Sequence, residues 1–211
     1  MLDIIQDFIP LNKPNRPSTY NPCYYITIHD TGNTDRGADA LAHSAYLKAT
    51  SKKVSWHFTV DDTVAVNHLP TNETAYHAGD GKNGTGNTKS IGIEICINAD
   101  GDIEKATDNA AWLTAKLLIE HKLTIEKVVQ HNRWSGKDCP QNLRNGVPYS
   151  WEVFLSKVEA YMQTYNITNA TEAIDLLVAQ NIITNGDYWK SALNHIKNLD
   201  SLFVKFAQHI L

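Results

Sequence analysis

Ten residues, His131-Asn132-Arg133-Trp134-Ser135-Gly136-Lys137-Asp138-Cys139-Pro140, bring an imidazole, an ammonium, a carboxylate and a thiol into one short stretch. Ser135-Gly136 and Cys139-Pro140 interrupt any helix or strand period, so the stretch reads as a loop. Imidazole and thiolate are ligands of tetrahedral zinc, and a catalytic zinc takes three protein ligands plus water. His131 and Cys139 would supply two. His29, at the end of a β-rich run, is a candidate for the third. By composition alone His57, His68, His77 and His121 are equally available. Cys139 with His131 also suggests a cysteine nucleophile, but a thiol followed by proline in a loop has no helix N-terminus to lower its pKa.

Glu94 is the second group with chemical promise. It interrupts Ile91-Gly92-Ile93-Glu94-Ile95-Cys96-Ile97, where a mid-strand carboxylate is unfavourable unless its face lines a cleft or meets a cation. Strand alternation sends Glu94 and Cys96 to one face, Ile93 and Ile95 to the other. Glu94 is therefore either a general base tuned by its site or a solvated residue of an edge strand. Lys137, two residues before Cys139, is either a surface lysine or a cation for a developing oxyanion.

The elements that must position these groups can be read in outline. Tyr24 to His29 is a buried strand delivering His29, with a turn at Asp30-Thr31-Gly32-Asn33. Ala38 to Ala49 has helical spacing. Val54 to Val60 and Val64 to Leu69 form a hairpin, and Gly81 to Asn87 is a flexible loop. Ser90 to Ile97 is a strand, Thr107 to His121 a helix, Ile125 to Val129 a short strand leading to His131, and Tyr149 to Tyr165 an amphipathic helix. Pro10, Pro14, Pro17 and Pro22 make residues 1–22 an extended arm without ladder or helix. The pattern implies an α/β fold with a central mixed β-sheet flanked by helices over residues 1–165. A linker at 166–169 and a small all-α domain of three helices over 170–211 follow.

Composition narrows the function classes. The formal net charge of -4 and the absence of a basic stripe argue against a nucleic-acid partner. The longest apolar runs are strand-sized, too short for a transmembrane segment. Acids at Asp3 and Asp7 occupy the place of the bases of a signal peptide, which suggests accumulation in the cytoplasm. Three cysteines are not a disulfide framework, and at least one thiol is free or metal-bound.

Five segments occur in a telling order: Tyr25-Ile26-Thr27-Ile28-His29-Asp30-Thr31, Ser55-Trp56-His57-Phe58, Tyr76-His77-Ala78-Gly79, Ser90-Ile91-Gly92-Ile93-Glu94, and the loop His131 to Pro140. Together, over roughly residues 20–163, they resemble the type-2 zinc N-acetylmuramoyl-L-alanine amidases, a class that includes peptidoglycan-recognition proteins and many phage endolysins. The resemblance implies zinc (Zn2+) held by His29, His131 and Cys139, with Glu94 as catalytic glutamate. It implies that Lys137 polarises the scissile carbonyl and that His77 lies in a loop bordering the substrate groove. Some members carry a catalytic tyrosine where this chain has Trp56, so here Trp56 is a substrate-binding candidate and Glu94 the sole base. Asn83, Thr85, Asn87 and Asn132 are candidates for holding the peptide stem.

The partner implied is bacterial peptidoglycan, reached by an endolysin released from the cytoplasm. The alternative is a non-catalytic peptidoglycan-binding module on the same fold. The tail is expected to bind the wall or to form a homodimer through its helices, which would raise local concentration. Tyr188 and Trp189 could stack on sugars or fill a small core. Lys190, Lys197 and Lys205 against Glu172, Asp175, Asp187 and Asp200 leave the tail slightly acidic, which disfavours an electrostatic hold on anionic wall polymers.

Overall fold

The computed structural model describes residues 2–165 and 169–210. The chain divides into two compact units, Leu2–Val158 and Glu159–Leu211. Within the first, a six-stranded sheet has the order β1-β4-β3-β5-β2-β6, with β1 Asp3–Gln6, β2 Tyr25–Asp30, β3 Phe58–Val60, β4 Val64–Asn67, β5 Ser90–Ile95 and β6 Val128–Gln130. Only β3 and β4 pair antiparallel, as the hairpin expected around Asp61-Asp62. The strands β3, β5, β2 and β6 run parallel side by side. The sheet is therefore mixed and flanked by helices, as the sequence pattern implied.

Buried isoleucines hold the centre. Ile26 and Ile28 on β2 and Ile91 and Ile93 on β5 are fully buried, as expected of strands covered on both faces. Helix α1 (Ala40–Ala49) packs on β3 and β4, burying Ala40, Ser44 and Leu47. Helix α3 (Ile103–Glu120) packs on β3 and β5, burying Leu113, Leu117 and Leu118. It starts one turn before the expected Thr107, because the Asp102 carboxylate accepts from the Lys105 backbone N–H at 3.0 Å and caps the end.

Two expectations are corrected. Residues 1–22 are not free of ladder: β1 pairs in parallel with β4 at the sheet edge. All four prolines follow it, so none removes a donor from Asp3–Gln6. The stretch read as flexible at Gly81 to Asn87 leads into a short helix, α2 (Thr85–Lys89). The Asp80 carboxylate accepts from the backbone N–H of Gly86 at 2.6 Å and Asn87 at 3.3 Å, satisfying helix-end donors that the sequence alone leaves open.

A 3-10 turn at Ile125–Lys127 leads into β6. Beyond β6 come α4 (Asn132–Ser135), α5 (Gln141–Arg144) and α6 (Trp151–Tyr165). Helix α6 carries the fully buried Phe154 and Val158. The second unit holds α7 (Ala170–Ala179), α8 (Gly186–Ala192) and α9 (Leu199–Ile210) around Ala173, Ile174, Leu177, Phe203 and Ala207. Asn169 and Asn185 cap α7 and α8 by accepting from the backbone N–H groups of Glu172 and Tyr188. Trp189 packs on this core, edge to face with Phe203, whereas Tyr188 is exposed. Apart from Asn169, the expected linker at 166–169 lies outside the described residues. No helix among the described residues is long and apolar enough to cross a membrane.

Candidate active site

Three adjacent parallel strands deliver the site. His29 ends β2 beside Glu94 on β5, and the two are register partners. His131 follows β6 directly, its backbone N–H donating to the Ile28 carbonyl at 3.2 Å. Functional groups thus gather at the carboxyl ends of the strands, where parallel sheets expose their turns.

The loop bearing His131 is more ordered than expected. Residues Asn132–Ser135 form one helical turn, closed by Gly136 in the left-handed region at φ 74°. Glycine takes this conformation without the steric penalty of a Cβ. The Asn132 carboxamide donates to the carbonyls of Gly136 and Lys137, so it braces the loop from within. Asp138 accepts from Arg144 at 2.6 Å, and Arg144 also donates to Gln130. The Asn142 backbone N–H donates to the Asp30 carboxylate at 2.9 Å, tying the loop beyond Cys139 to the end of β2.

His29, His131 and Cys139 converge, each offering one ligand atom within 4.8 Å of the others, and all three are buried. The Cys139 thiol lies 3.8 Å from His29 Nδ1, and Glu94 Oε1 lies 3.7 Å from the same nitrogen. His131 Nε2 is 2.9 Å from the Ala78 carbonyl. His29 Nε2 is 2.9 Å from His77 Nδ1.

Electrostatics test whether this cluster suits a cation. Burial lowers the pKa of His29 well below its ordinary value, with His77 and His131 adding to the effect. Burial and Lys137 lower that of His131. Burial and the nearby Glu94 push the Cys139 thiol up to about 12. Burial and Asp30 push Glu94 up to about 8, while Lys137 acts in the opposite direction. Two neutral imidazoles and a thiol reluctant to ionise form a donor set that gains from a cation. Nδ1 of His131 and Oε2 of Glu94 are buried without a hydrogen-bond partner among the described residues. Buried polar atoms are seldom left so, and the donor set therefore fits a metal ion.

The other expected residues fall as follows. Lys137 is exposed, yet its charge acts on Glu94, His29, His131 and Cys139. Trp56 is buried, donates from Nε1 to Thr59 Oγ1 at 2.7 Å, and lines a cavity of about 370 Å³ with Thr31, Asn33, His43 and Tyr46. His77, read as bordering the groove, is buried behind His29 with both ring nitrogens near polar atoms. Asn87 is likewise turned inward. Its Oδ1 accepts from the backbone N–H groups of His77 and Ala78, both at 2.8 Å, and clamps the loop that meets both His29 and His131. Ser90, Thr27 and Asn142 escaped the sequence reading, since small polar residues in strands and turns carry no signal of their own. One signal was present: Gly92 inside a strand marks a close approach. A Cβ there would sit 2.8 Å from the His77 ring.

A buried His-His-Cys cluster beside a carboxylate with one oxygen left without a partner among the described residues, on a mixed sheet, defines a candidate hydrolytic metal centre. The family model described as N-acetylmuramoyl-L-alanine amidase matches residues 19–142, more than half of the chain. The chain belongs to the N-acetylmuramoyl-L-alanine amidase family. It is 51% identical over 160 residues to the N-acetylmuramoyl-L-alanine amidase CwlH of Bacillus subtilis (strain 168), covering 76% of this chain and 62% of that protein. It is 49% identical over 187 residues to XlyA of the same organism, covering 85% of this chain and 61% of that protein. The chain thus spans about three-fifths of the length of these relatives. The solved catalytic domain of XlyA superposes with a TM-score of 0.71 at 53% identity, covering 74% of this chain and 99% of that domain.

Proposed function

We propose that the protein is a zinc-dependent peptidoglycan hydrolase of the endolysin type, cutting the amide between the lactyl group of N-acetylmuramic acid and L-alanine. The observation that carries this reading is the convergence of His29, His131 and Cys139 beside Glu94, whose Oε2 is buried without a hydrogen-bond partner among the described residues. The family supports it, because the relatives are named for the same amidase activity.

In this reading His29, His131 and Cys139 hold the zinc ion. When bound, it supplies Lewis acidity that acidifies water and polarises a carbonyl. Glu94 takes a proton from the attacking water. The water oxygen bonds to the amide carbon, and the ammonium of Lys137 steadies the oxyanion. Glu94 then delivers its proton to the departing nitrogen as the carbon–nitrogen bond breaks. The products are a lactyl carboxylate and a free L-alanyl amine. The cavity beside Trp56 is proposed to receive part of the substrate, and the C-terminal helices to bind wall or to pair with a second copy.

Stripping the protein with a strong chelator and reloading it with zinc tests the metal dependence. Loss and recovery of wall clearing, and a zinc-free Cys139→Ser protein, are expected. Clearing that survives complete stripping would point instead to Cys139 as nucleophile. Wall binding without clearing by the zinc-loaded protein would favour the non-catalytic module.

A further inference from the structure

We infer that His77 is a positioning residue that sets the tautomer of His29, through a one-way hydrogen-bond relay anchored on the Gly86 carbonyl and the Trp134 indole. This inference rests on the metal-ligand reading above. It replaces a groove-side role for His77 with one behind the ligand.

The directions follow from groups that leave no choice. The Gly86 carbonyl can only accept, and Ser90 Oγ lies 2.7 Å from it. That bond uses the single hydroxyl proton of Ser90. The Trp134 indole N–H can only donate, and it meets Thr27 Oγ1 at 2.9 Å. Thr27 Oγ1 and Ser90 Oγ are 2.8 Å apart, so Thr27 must be the donor between them. His77 Nε2 approaches Ser90 Oγ at 3.4 Å, a long contact, and with the Ser90 proton committed to Gly86 the bond between them can only be donated by the ring. A neutral imidazole with its proton on Nε2 has a bare Nδ1. His29 Nε2, 2.9 Å from that Nδ1, therefore carries the proton of its own ring. The bare nitrogen of His29 is then Nδ1, the atom that faces Cys139 Sγ and Glu94.

The fold commits several residues to this relay. Gly92 makes room for the His77 ring, which a Cβ would meet at 2.8 Å. Asn87 fixes the backbone of His77 and Ala78. The Ala78 carbonyl performs the equivalent task for His131: it accepts from Nε2 and leaves Nδ1 for the ion. One short loop thus presents both imidazoles through the same nitrogen. Partners of this kind fix ring orientation and tautomer at metal sites.

The test reads the His29 tautomer by nitrogen-15 NMR of the zinc-free protein, and zinc affinity by competition with a chelating dye. The wild type is expected to show the Nε2–H tautomer at His29 before any metal is added. His77→Asn keeps an acceptor oxygen near the Nδ1 position and should hold affinity within a few-fold. His77→Leu fills the space without an acceptor; mixed tautomers at His29 and a roughly 10- to 100-fold loss of zinc affinity are expected. A packing role alone predicts that Leu is tolerated at least as well as Asn. An Nδ1–H tautomer in the wild type, or affinity kept in His77→Leu and lost in His77→Asn, overturns the inference. The wild-type tautomer needs neither variant folding nor enzymatic activity. An Nε2–H result in a protein that takes up no zinc would sink the zinc reading and leave the relay standing.

Discussion

Glu94 Oε1 stands 3.7 Å from His29 Nδ1, because the two residues are register partners on neighbouring parallel strands. The strand pairing itself therefore sets the distance between the proposed base and the proposed metal ligand. Moving either strand by one residue would turn one of the two groups to the opposite face of the sheet.

Glu94→Gln keeps the size of the side chain and removes its ability to take a proton. Turnover should fall about 100- to 10,000-fold, the usual worth of general acid–base catalysis. Bound zinc per protein, measured by metal analysis, should stay unchanged. Near-normal turnover in a zinc-loaded variant would remove Glu94 from the base role.

Lys137→Met tests the oxyanion role separately. The residue is exposed, so the fold should tolerate the change within about 0.5 kcal/mol. Loss of one oxyanion-stabilising group is worth about 100- to 1,000-fold in kcat. Steady-state kinetics on soluble wall fragments would show this; a change confined to KM would place Lys137 in substrate binding instead.

Gly92→Ala should be damaging although it adds one methyl group. The new Cβ meets the His77 ring at 2.8 Å inside a strand whose backbone is held on both sides. Overpacking of this kind is worth about 1–3 kcal/mol. Urea unfolding of the zinc-free protein should show that loss, and zinc affinity should fall with it. Stability equal to wild type would mean that the ring has room to move.

Acid should unfold the zinc-free protein through its buried histidines. Burial lowers the pKa of His57 to about 4 and that of His68 to about 3, against an ordinary 6.5. The unfolded chain then binds more protons than the folded one below pH 6.5. The histidine contribution is fully present above that pH and drains away as pH falls toward 4 and then 3, while Glu94, raised to about 8 by burial, offsets part of the loss down to its ordinary 4.5. At about 1.4 kcal/mol per unit, His57 alone accounts for roughly 3 kcal/mol by pH 4. His29, His77 and His131 shift in the same direction and add to the loss. Urea midpoints measured from pH 7 to 4 should fall steadily; a flat profile would mean that these rings are protonated in the native state.

The sequence drew attention to His29, His131, Cys139 and Glu94 for a physical reason, although only the family resemblance singled out His29 among the other histidines. Each sits in a segment whose chemistry looks out of place locally: a thiol beside proline, a glutamate among isoleucines, a histidine ending an apolar strand. Helices and strands with clear periodicity were equally readable, and errors fell at their ends. Asp102 extended α3 by a turn, and Asp80 supplied acceptors to α2, because caps act through side chains that periodicity does not register. His77 was misplaced for a different reason. A loop position says nothing about which way a ring points, and only the missing side chain of Gly92 hinted that the ring turns inward. Asn87 and Asn132 looked available for substrate because amides commonly are, yet backbone donors and carbonyls occupy them.

The central claim is hydrolysis of one amide bond, and mass analysis of the fragments released from purified peptidoglycan by the zinc-loaded protein tests it most directly. The account predicts stem peptides with a new L-alanine amino terminus and intact glycan strands. New reducing sugar ends, or cleavage within the peptide stem, would contradict it.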